Sequence, residues 1–201
     1  MKELIAAAAE LQAFLQKEKW EFCFIGGLAL QRWGYPRLTR DMDVTLMVDF
    51  GGESPVIGKI LSAYRPRVAG AAQFALDNRV LLVKTGDGIG IDIAFGALPF
   101  EHGLIRRASG FEYLPGVPLR TCSAEDLIIL KAFAERPQDW IDVEAIARRQ
   151  ENRLDKKYIL DNLGPLAALK ESPQIIEKLT AILSPRRGNE GTPRQRRKLS
   201  G

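Results

Sequence analysis

Residues 37–46 read Arg37-Leu38-Thr39-Arg40-Asp41-Met42-Asp43-Val44-Thr45-Leu46. From Asp41 onward polar and apolar side chains alternate, the period-two pattern of a half-buried strand. Side chains at i and i+2 of a strand point to one face, so Asp41 and Asp43 stand side by side. Two bare carboxylates at that spacing repel, and one is driven neutral. A divalent cation relieves the repulsion, and hard ions such as Mg²⁺ prefer carboxylate oxygen. A lone Asp-x-Asp is also what a solvent-facing strand looks like, so its surroundings must decide.

Upstream, Glu21-Phe-Cys-Phe-Ile25 reads as a strand running into Gly26-Gly27. A short helix follows from Leu28 to Trp33, closed by Gly34. Glycines between a strand and a helix let a phosphate reach the amides at the helix N-terminus; alone, the pair is also an ordinary tight turn. Arg37, Thr39 and Arg40 lie directly ahead of the carboxylates, where they can meet phosphate oxygens or simply be solvated. Downstream, residues 79–84 and 90–95 read as two strands joined by the Gly86-Asp87-Gly88 turn, a hairpin signal. Asp92, between Ile91 and Ile93, sits on the face opposite those isoleucines. If its strand lies beside the first, three carboxylates converge, enough for two metal ions, one at the attacking oxygen and one at the nucleotide phosphates. Asp87, in the turn, is a poorer third member.

Farther out, residues 3–18 read as a helix with Leu4, Ala8, Leu11 and Leu15 on one stripe. Ser54-Pro55 opens a helix that ends near Tyr64. Residues 96–116 read as irregular, and 117–121 as a short strand. The remainder is helical: 124–135 behind the capping pattern Ser123-Ala-Glu-Asp126, 138–150, 155–169 and 173–183. This divides the chain into a mixed α/β part over 1–122, a helical region over 123–184 and a basic disordered tail over 185–201.

Composition narrows the chemistry. The 201 residues are 46% hydrophobic and 27% charged, an ordinary globular balance. No apolar run approaches a membrane span, and the N-terminus lacks the form of a secretory signal. Two cysteines, Cys23 and Cys122, cannot make a disulfide framework or a four-cysteine zinc site. His102 is the sole histidine, which argues against Ser-His-Asp hydrolases and HExxH proteases; on an irregular stretch it reads as solvated. The formal net charge is +4, but the tail alone carries Arg186, Arg187, Arg194, Arg196, Arg197 and Lys198 against Glu190, leaving the body slightly acidic. Such a tail is either a non-specific nucleic-acid contact or a solvated terminus.

Together, Gly26-Gly27 and Arg37-x-Thr39-x-Asp41-x-Asp43 resemble the nucleotidyltransferase signature of the DNA polymerase β superfamily, and most closely the AbiEii/AbiGii-type toxin nucleotidyltransferases. A second stretch is similar to the same family: Ser123-x-Glu-Asp-Leu-Ile-x-x-Lys131, then Arg136-x-x-Asp139-x-x-Asp142. The resemblance covers about residues 24–146. The chain is shorter than many such toxins, so the expectation is that it lacks a fuller C-terminal acceptor-binding region.

The resemblance implies an α/β (α+β) nucleotidyltransferase fold, a small mixed sheet flanked by helices, followed by a C-terminal helical bundle. It implies transfer of a nucleoside monophosphate from an NTP to an acceptor hydroxyl, with an RNA acceptor such as a tRNA 3′ end, a cognate antitoxin protein as partner and a cytoplasmic setting. Gly26 and Gly27 would bind the triphosphate, with Arg37, Thr39 and Arg40 on its oxygens. Asp41 and Asp43 would hold two Mg²⁺ ions, with Mn²⁺ as an alternative, and Asp92 would complete the site. Lys131, within Leu127-Ile-Ile-Leu130 and Ala132-Phe133, either snorkels to solvent or reaches the triphosphate; the resemblance favours the second, so Lys131→Met should weaken NTP binding and leave stability alone. Arg136, Asp139 and Asp142 read as a structural ion-pair network. The competing functions are a small-molecule, antibiotic-type nucleotidyltransferase and a non-catalytic nucleotide-binding or interaction module.

Overall fold

The alternation that begins at Asp41 becomes strand β2 (Asp41–Met47), near the middle of a seven-stranded mixed sheet. The computed structural model describes residues 1–184; the basic tail lies outside the described residues. In chain order the elements are α1 (Lys2–Lys17), β1 (Phe22–Phe24), α2 (Gly26–Trp33), β2, α3 (Glu53–Ala63), β3 (Arg65–Pro66), α4 (Ala71–Asn78), β4 (Val80–Lys84), β5 (Gly90–Gly96), α5 (Pro99–Arg107), β6 (Ser109–Leu114), β7 (Val117–Thr121), α6 (Ala124–Ala134), α7 (Pro137–Gln150), α8 (Lys156–Leu169) and α9 (Gln174–Leu183). The sheet order is β3-β4-β5-β2-β1-β7-β6. β2 runs parallel to β5 and antiparallel to β1, and β1 meets β7 in parallel.

Each face of the sheet has its own core. Met42, Val44 and Leu46 of β2, Ile91 and Ile93 of β5, and Leu81 and Val83 of β4 are fully buried on one face, where they join the α1 stripe and residues of α3 and α4. Burying a leucine such as Leu11 or Leu15 contributes about 1.5–3 kcal/mol relative to exposure, which is why α1 needs no better cap than Met1. The second core forms around α6, whose Leu127, Ile128, Ile129 and Ala132 are all fully buried. A helix apolar on every side must be surrounded, and α2, α5, α7, α8 and α9 all contribute to that core. Its members Ala29, Leu30, Leu104 and Ile105 come from the first 122 residues, so this core is built from both sides of residue 122.

The span 96–116, read as irregular, holds a helix and a strand. In α5, Pro99 occupies the first turn and the Glu101 carboxylate accepts from the backbone N–H groups of Ala97 and Leu98 at 2.7 and 2.9 Å, a stop-and-start signal of the kind that opens helices. His102 therefore lies on a helix. β6 is mostly exposed, so it has no apolar alternation to read; pairing with β7 is what makes it a strand. β3 and α4 likewise have no counterpart in the sequence reading.

Polar ties fix the helices near the open end of β2. Trp33 donates its indole N–H to the Cys122 carbonyl at 2.8 Å, Gln150 donates to the Trp33 carbonyl at 2.8 Å, and Arg149 donates to the Gly34 carbonyl. The loop 35–40, which joins α2 to β2, thus leaves a helix whose end is tied to α7. Among the described residues, no helix is long and apolar enough to cross a membrane.

Candidate active site

The parallel pairing of β2 with β5 sets Asp43 opposite Asp92 and Asp41 opposite Gly90. Residues paired across strands share a face, so Asp41, Asp43 and Asp92 meet on the face away from the first core. The glycine is needed there: a Cβ on Gly90 would stand 2.3 Å from Asp41 Oδ1. The same holds on the other side. Gly26 has φ +54°, and a Cβ on it would lie 2.0 Å from Asp43 Oδ2; one on Gly27 would lie 2.5 Å from Thr39 Oγ1. The two glycines let the start of α2 close directly onto Asp43 and Thr39. The Gly27 N–H points to Asp43 Oδ2 at 3.4 Å, and the Thr39 hydroxyl donates to the Asp41 carbonyl at 3.1 Å.

Burial pushes the Asp43 carboxyl above the ordinary aspartate value, and the neighbouring Asp92 pushes it further; the Gly27 N–H and the positive charge of Lys131 pull the other way. Asp92 is also raised, by burial first and by Asp41, against the Arg67 guanidinium. Carboxylates in this condition are short of positive charge.

Arg67 supplies part of it, and sequence reading missed it. One of its terminal nitrogens bonds Asp92 Oδ1, the other is 4.0 Å from Asp41 Oδ1, and its Nε is buried with no partner. Its N–H bonds the Leu82 carbonyl at 3.0 Å, so the edge pairing of the two-residue β3 is what delivers it. A two-residue strand has no periodicity, and nothing in Arg65-Pro66-Arg67 marks its destination.

Loop 35–40 contributes unequally. Arg37 Nη2 bonds Asp142 Oδ2 at 3.2 Å, and Arg40 is exposed beside Asp41. Lys131 does not snorkel. It is 6% exposed, and its Nζ lies 2.6 Å from Asp142 Oδ2 and 3.1 Å from Asp139 Oδ1. Arg136 bonds Asp139 at 2.5 Å and Gln138 bonds Asp142 at 3.1 Å. Arg136, Asp139 and Asp142 therefore form the ion-pair network that their spacing on α7 suggested. Burial works against the charge on Asp139, but the bonds from Arg136 and Lys131 outweigh it and hold its carboxyl below the ordinary value. Asp142 Oδ2 is shared by Lys131 and Arg37, so the network runs from the last turn of α6 to loop 35–40.

Among the described residues, no group of three or more His, Cys, Asp or Glu side chains is gathered closely enough to hold a metal ion as it stands; the residues whose chemistry fits one are Asp41, Asp43 and Asp92, with Arg67 reaching both Asp41 and Asp92. Oxygen donors on adjacent register positions, two of them with raised pKa, suit a hard divalent cation. On the other side the Gly27 N–H at the start of α2 is directed at Asp43, and Arg37 and Arg40 are exposed on the loop that enters β2. The arrangement can neutralise a polyphosphate and hold a hydroxyl next to a carboxylate.

A family model described as nucleotidyl transferase AbiEii toxin, type IV TA system, matches residues 11–171. Among solved structures, an antigenic nucleotidyltransferase-like protein from Paracoccidioides brasiliensis is similar at a TM-score of 0.50, with 14% identity over 90% of this chain and 94% of that one. The antibiotic-resistance factor ANT(2″)-Ia is similar at a TM-score of 0.43, with 16% identity over 89% of this chain and 86% of its own. A crystal structure of ANT(2″)-Ia in complex with adenylyl-2″-tobramycin gives a TM-score of 0.43 and 18% identity, over 90% and 93%. No curated protein matches the chain.

Proposed function

The chain belongs to the AbiEii family of nucleotidyl transferase toxins, and from that premise we propose that it is a divalent-metal-dependent enzyme moving a nucleoside monophosphate from an NTP to a hydroxyl of RNA, a tRNA 3′ end being the acceptor its family favours. The family implies an NTP substrate and an antitoxin partner. The observation that carries the reading is the meeting of Asp41, Asp43 and Asp92 directly against Gly26-Gly27.

The acceptor oxygen attacks the α-phosphorus, a new P–O ester forms, and the bond to the bridging α–β oxygen breaks. Pyrophosphate leaves with that electron pair, and the hydroxyl proton passes to Asp92 or to water. Such chemistry depends on positioning and charge neutralisation, which agrees with a site without histidine. Asp41, Asp43 and Asp92 would hold one or two Mg²⁺ ions, which when bound supply charge to the phosphates. Gly26 and Gly27 offer amides at the positive end of α2 to the triphosphate. Arg37 and Arg40 bracket the same side, and Thr39 fixes the entry of the chain into β2. Lys131, with its ammonium already taken by two carboxylates, acts as a positioning residue: it holds Asp142, which holds Arg37. Residues 1–122 carry the chemistry and 123–184 supply the wall that seats loop 35–40. NTP and tRNA as substrates make the cytoplasm the setting.

Incubation with each labelled NTP, Mg²⁺ and total RNA, followed by a gel, tests the proposal. Label should appear in small RNA and disappear on chelation. Asp41→Asn should cut transfer by about 10² or more, because electrostatic stabilisation carries much of the rate. Transfer that survives complete chelation would overturn the metal-dependent reading.

A further inference from the structure

An in-line displacement places the attacking oxygen and the leaving group on opposite sides of the phosphorus. The sheet order puts different chemistry on the two sides of the carboxylates. Toward β1 stand Gly26-Gly27 and the start of α2, the flank suited to the departing pyrophosphate. Toward β5, β4 and β3 lies the other flank, and the acceptor must approach there.

That flank is a partly open sheet face. Val80, Leu82 and Lys84 of β4 and Ala94 of β5 are only half-buried, whereas Leu81, Val83, Ile91 and Ile93 on the opposite face are fully buried. Register runs directly outward from the site. Asp41 pairs with Gly90, Gly90 with Lys84, and Lys84 with Arg65. Paired residues share a face, so Lys84 and Arg65 stand on the side that bears the carboxylates. Strands are about 4.8 Å apart, and Arg65 therefore lies roughly 14 Å from Asp41 along this row. Arg67 occupies the inner end, against Asp92 and Asp41. Arg65 is exposed, and Lys84 is half-buried; neither makes an ion pair among the described residues. Asp87, in the exposed turn between β4 and β5, is the opposing charge at the rim.

We infer that the row Arg67–Lys84–Arg65 across β3–β5 is the track for the acceptor strand, reading the phosphodiester backbone of a single-stranded RNA 3′ end. This rests on the nucleotidyltransferase reading above and adds the surface that receives the acceptor. Cations spaced along a sheet face match a polyanion, and Leu82 between them gives a base an apolar surface to lie on. A polycationic acceptor such as an aminoglycoside would meet repulsion along this row.

The test uses the full chain and a labelled single-stranded RNA oligonucleotide with a free 3′ hydroxyl. Arg65 and Lys84 lie outside both cores, so the double variant Arg65→Ala/Lys84→Ala should fold, which thermal melting checks. RNA affinity should fall roughly tenfold at low salt, and the slope of log K against log salt should lose about 1.4, near 0.7 for each phosphate contact removed from a single strand. The dissociation constant for NTP, measured by calorimetry, should not move. Arg65→Lys/Lys84→Arg should restore RNA binding. A second readout uses the native chain alone: a photo-crosslinking 3′-terminal nucleotide should label the peptide spanning β3 and β4. Unchanged affinity and slope in the double variant, or crosslinks confined to other peptides, would overturn the track while leaving the transferase reading in place. Native protein that transfers no nucleotide to any RNA, or that modifies an aminoglycoside instead, would overturn both.

Discussion

Lys131 shows how much one partner list changes an expectation. As a helix lysine aimed at solvent or at phosphate, it could be replaced by methionine without harm to the fold. Its two bonds to Asp139 and Asp142, at 7% side-chain exposure, reverse that. Removing one member of a buried ion pair leaves the other charges uncompensated, at a typical cost of 3–5 kcal/mol. Arg136, Gln138 and Arg37 still reach the two aspartates, so Lys131→Met should cost about 3 kcal/mol by chemical denaturation. NTP affinity should fall as well, because Asp142, no longer held by Lys131, seats Arg37 less firmly. A variant with unchanged stability would show that the network contributes nothing to the fold. Asp43 makes the opposite case. Its folded-state pKa is raised, chiefly by burial. A carboxyl with a raised folded pKa stabilises the fold below its unfolded pKa, and that contribution is lost as pH rises through the folded value. In the metal-free protein the contribution of Asp43 to stability should therefore fall as pH climbs above the ordinary aspartate value of 3.8. Asp43→Asn should flatten this loss and melt higher than the native chain at neutral pH in a chelator. Equal melting curves for the two proteins would remove the electrostatic strain assigned to the trio.

Elements differ in how much of their origin is local. α6 is bounded by a strong local signal: Ser123 Oγ accepts from the Asp126 N–H at 3.1 Å and donates to Asp126 Oδ2 at 2.6 Å. The same Asp126 also accepts from Tyr158 and Arg107, so the cap ties α5, α6 and α8 together. Ser123→Ala should cost about 1–2 kcal/mol, the range for a lost N-cap with a buried partner, and leave NTP affinity intact; a calorimetric scan and an NTP titration read the two effects separately. β2 and β5 were readable from alternation, because one face of each is buried. β6 was not, since its exposed residues carry no such pattern, and α5 was missed although Pro99 and Glu101 offered a usable capping signal.

At the scale of the whole molecule, the second core ends at Leu183. Ile175, Leu179 and Leu183 of α9 are all in it, the first two fully buried. Ending the chain after Ser184 keeps every buried side chain among the described residues, and its melting temperature should match that of the full chain. Ending it after Ser172 removes three buried aliphatic side chains worth roughly 5–9 kcal/mol together, comparable with the 5–15 kcal/mol that holds a typical domain. That shorter chain should be unfolded, or molten around α6, by circular dichroism; a cooperative native-like melt would show that α9 is dispensable. By itself the sequence determined the strand of Asp41 and Asp43, the glycine turn, the hairpin carrying Asp92 and the four later helices, because each rests on periodicity or capping within a few residues. Tertiary structure alone decided that β5 lies beside β2 with Asp92 opposite Asp43, that Arg67 arrives from a two-residue edge strand, and that Lys131 faces Asp139 and Asp142. Those are pairings between segments distant along the chain, chosen by which faces can be buried together, and no local pattern encodes them.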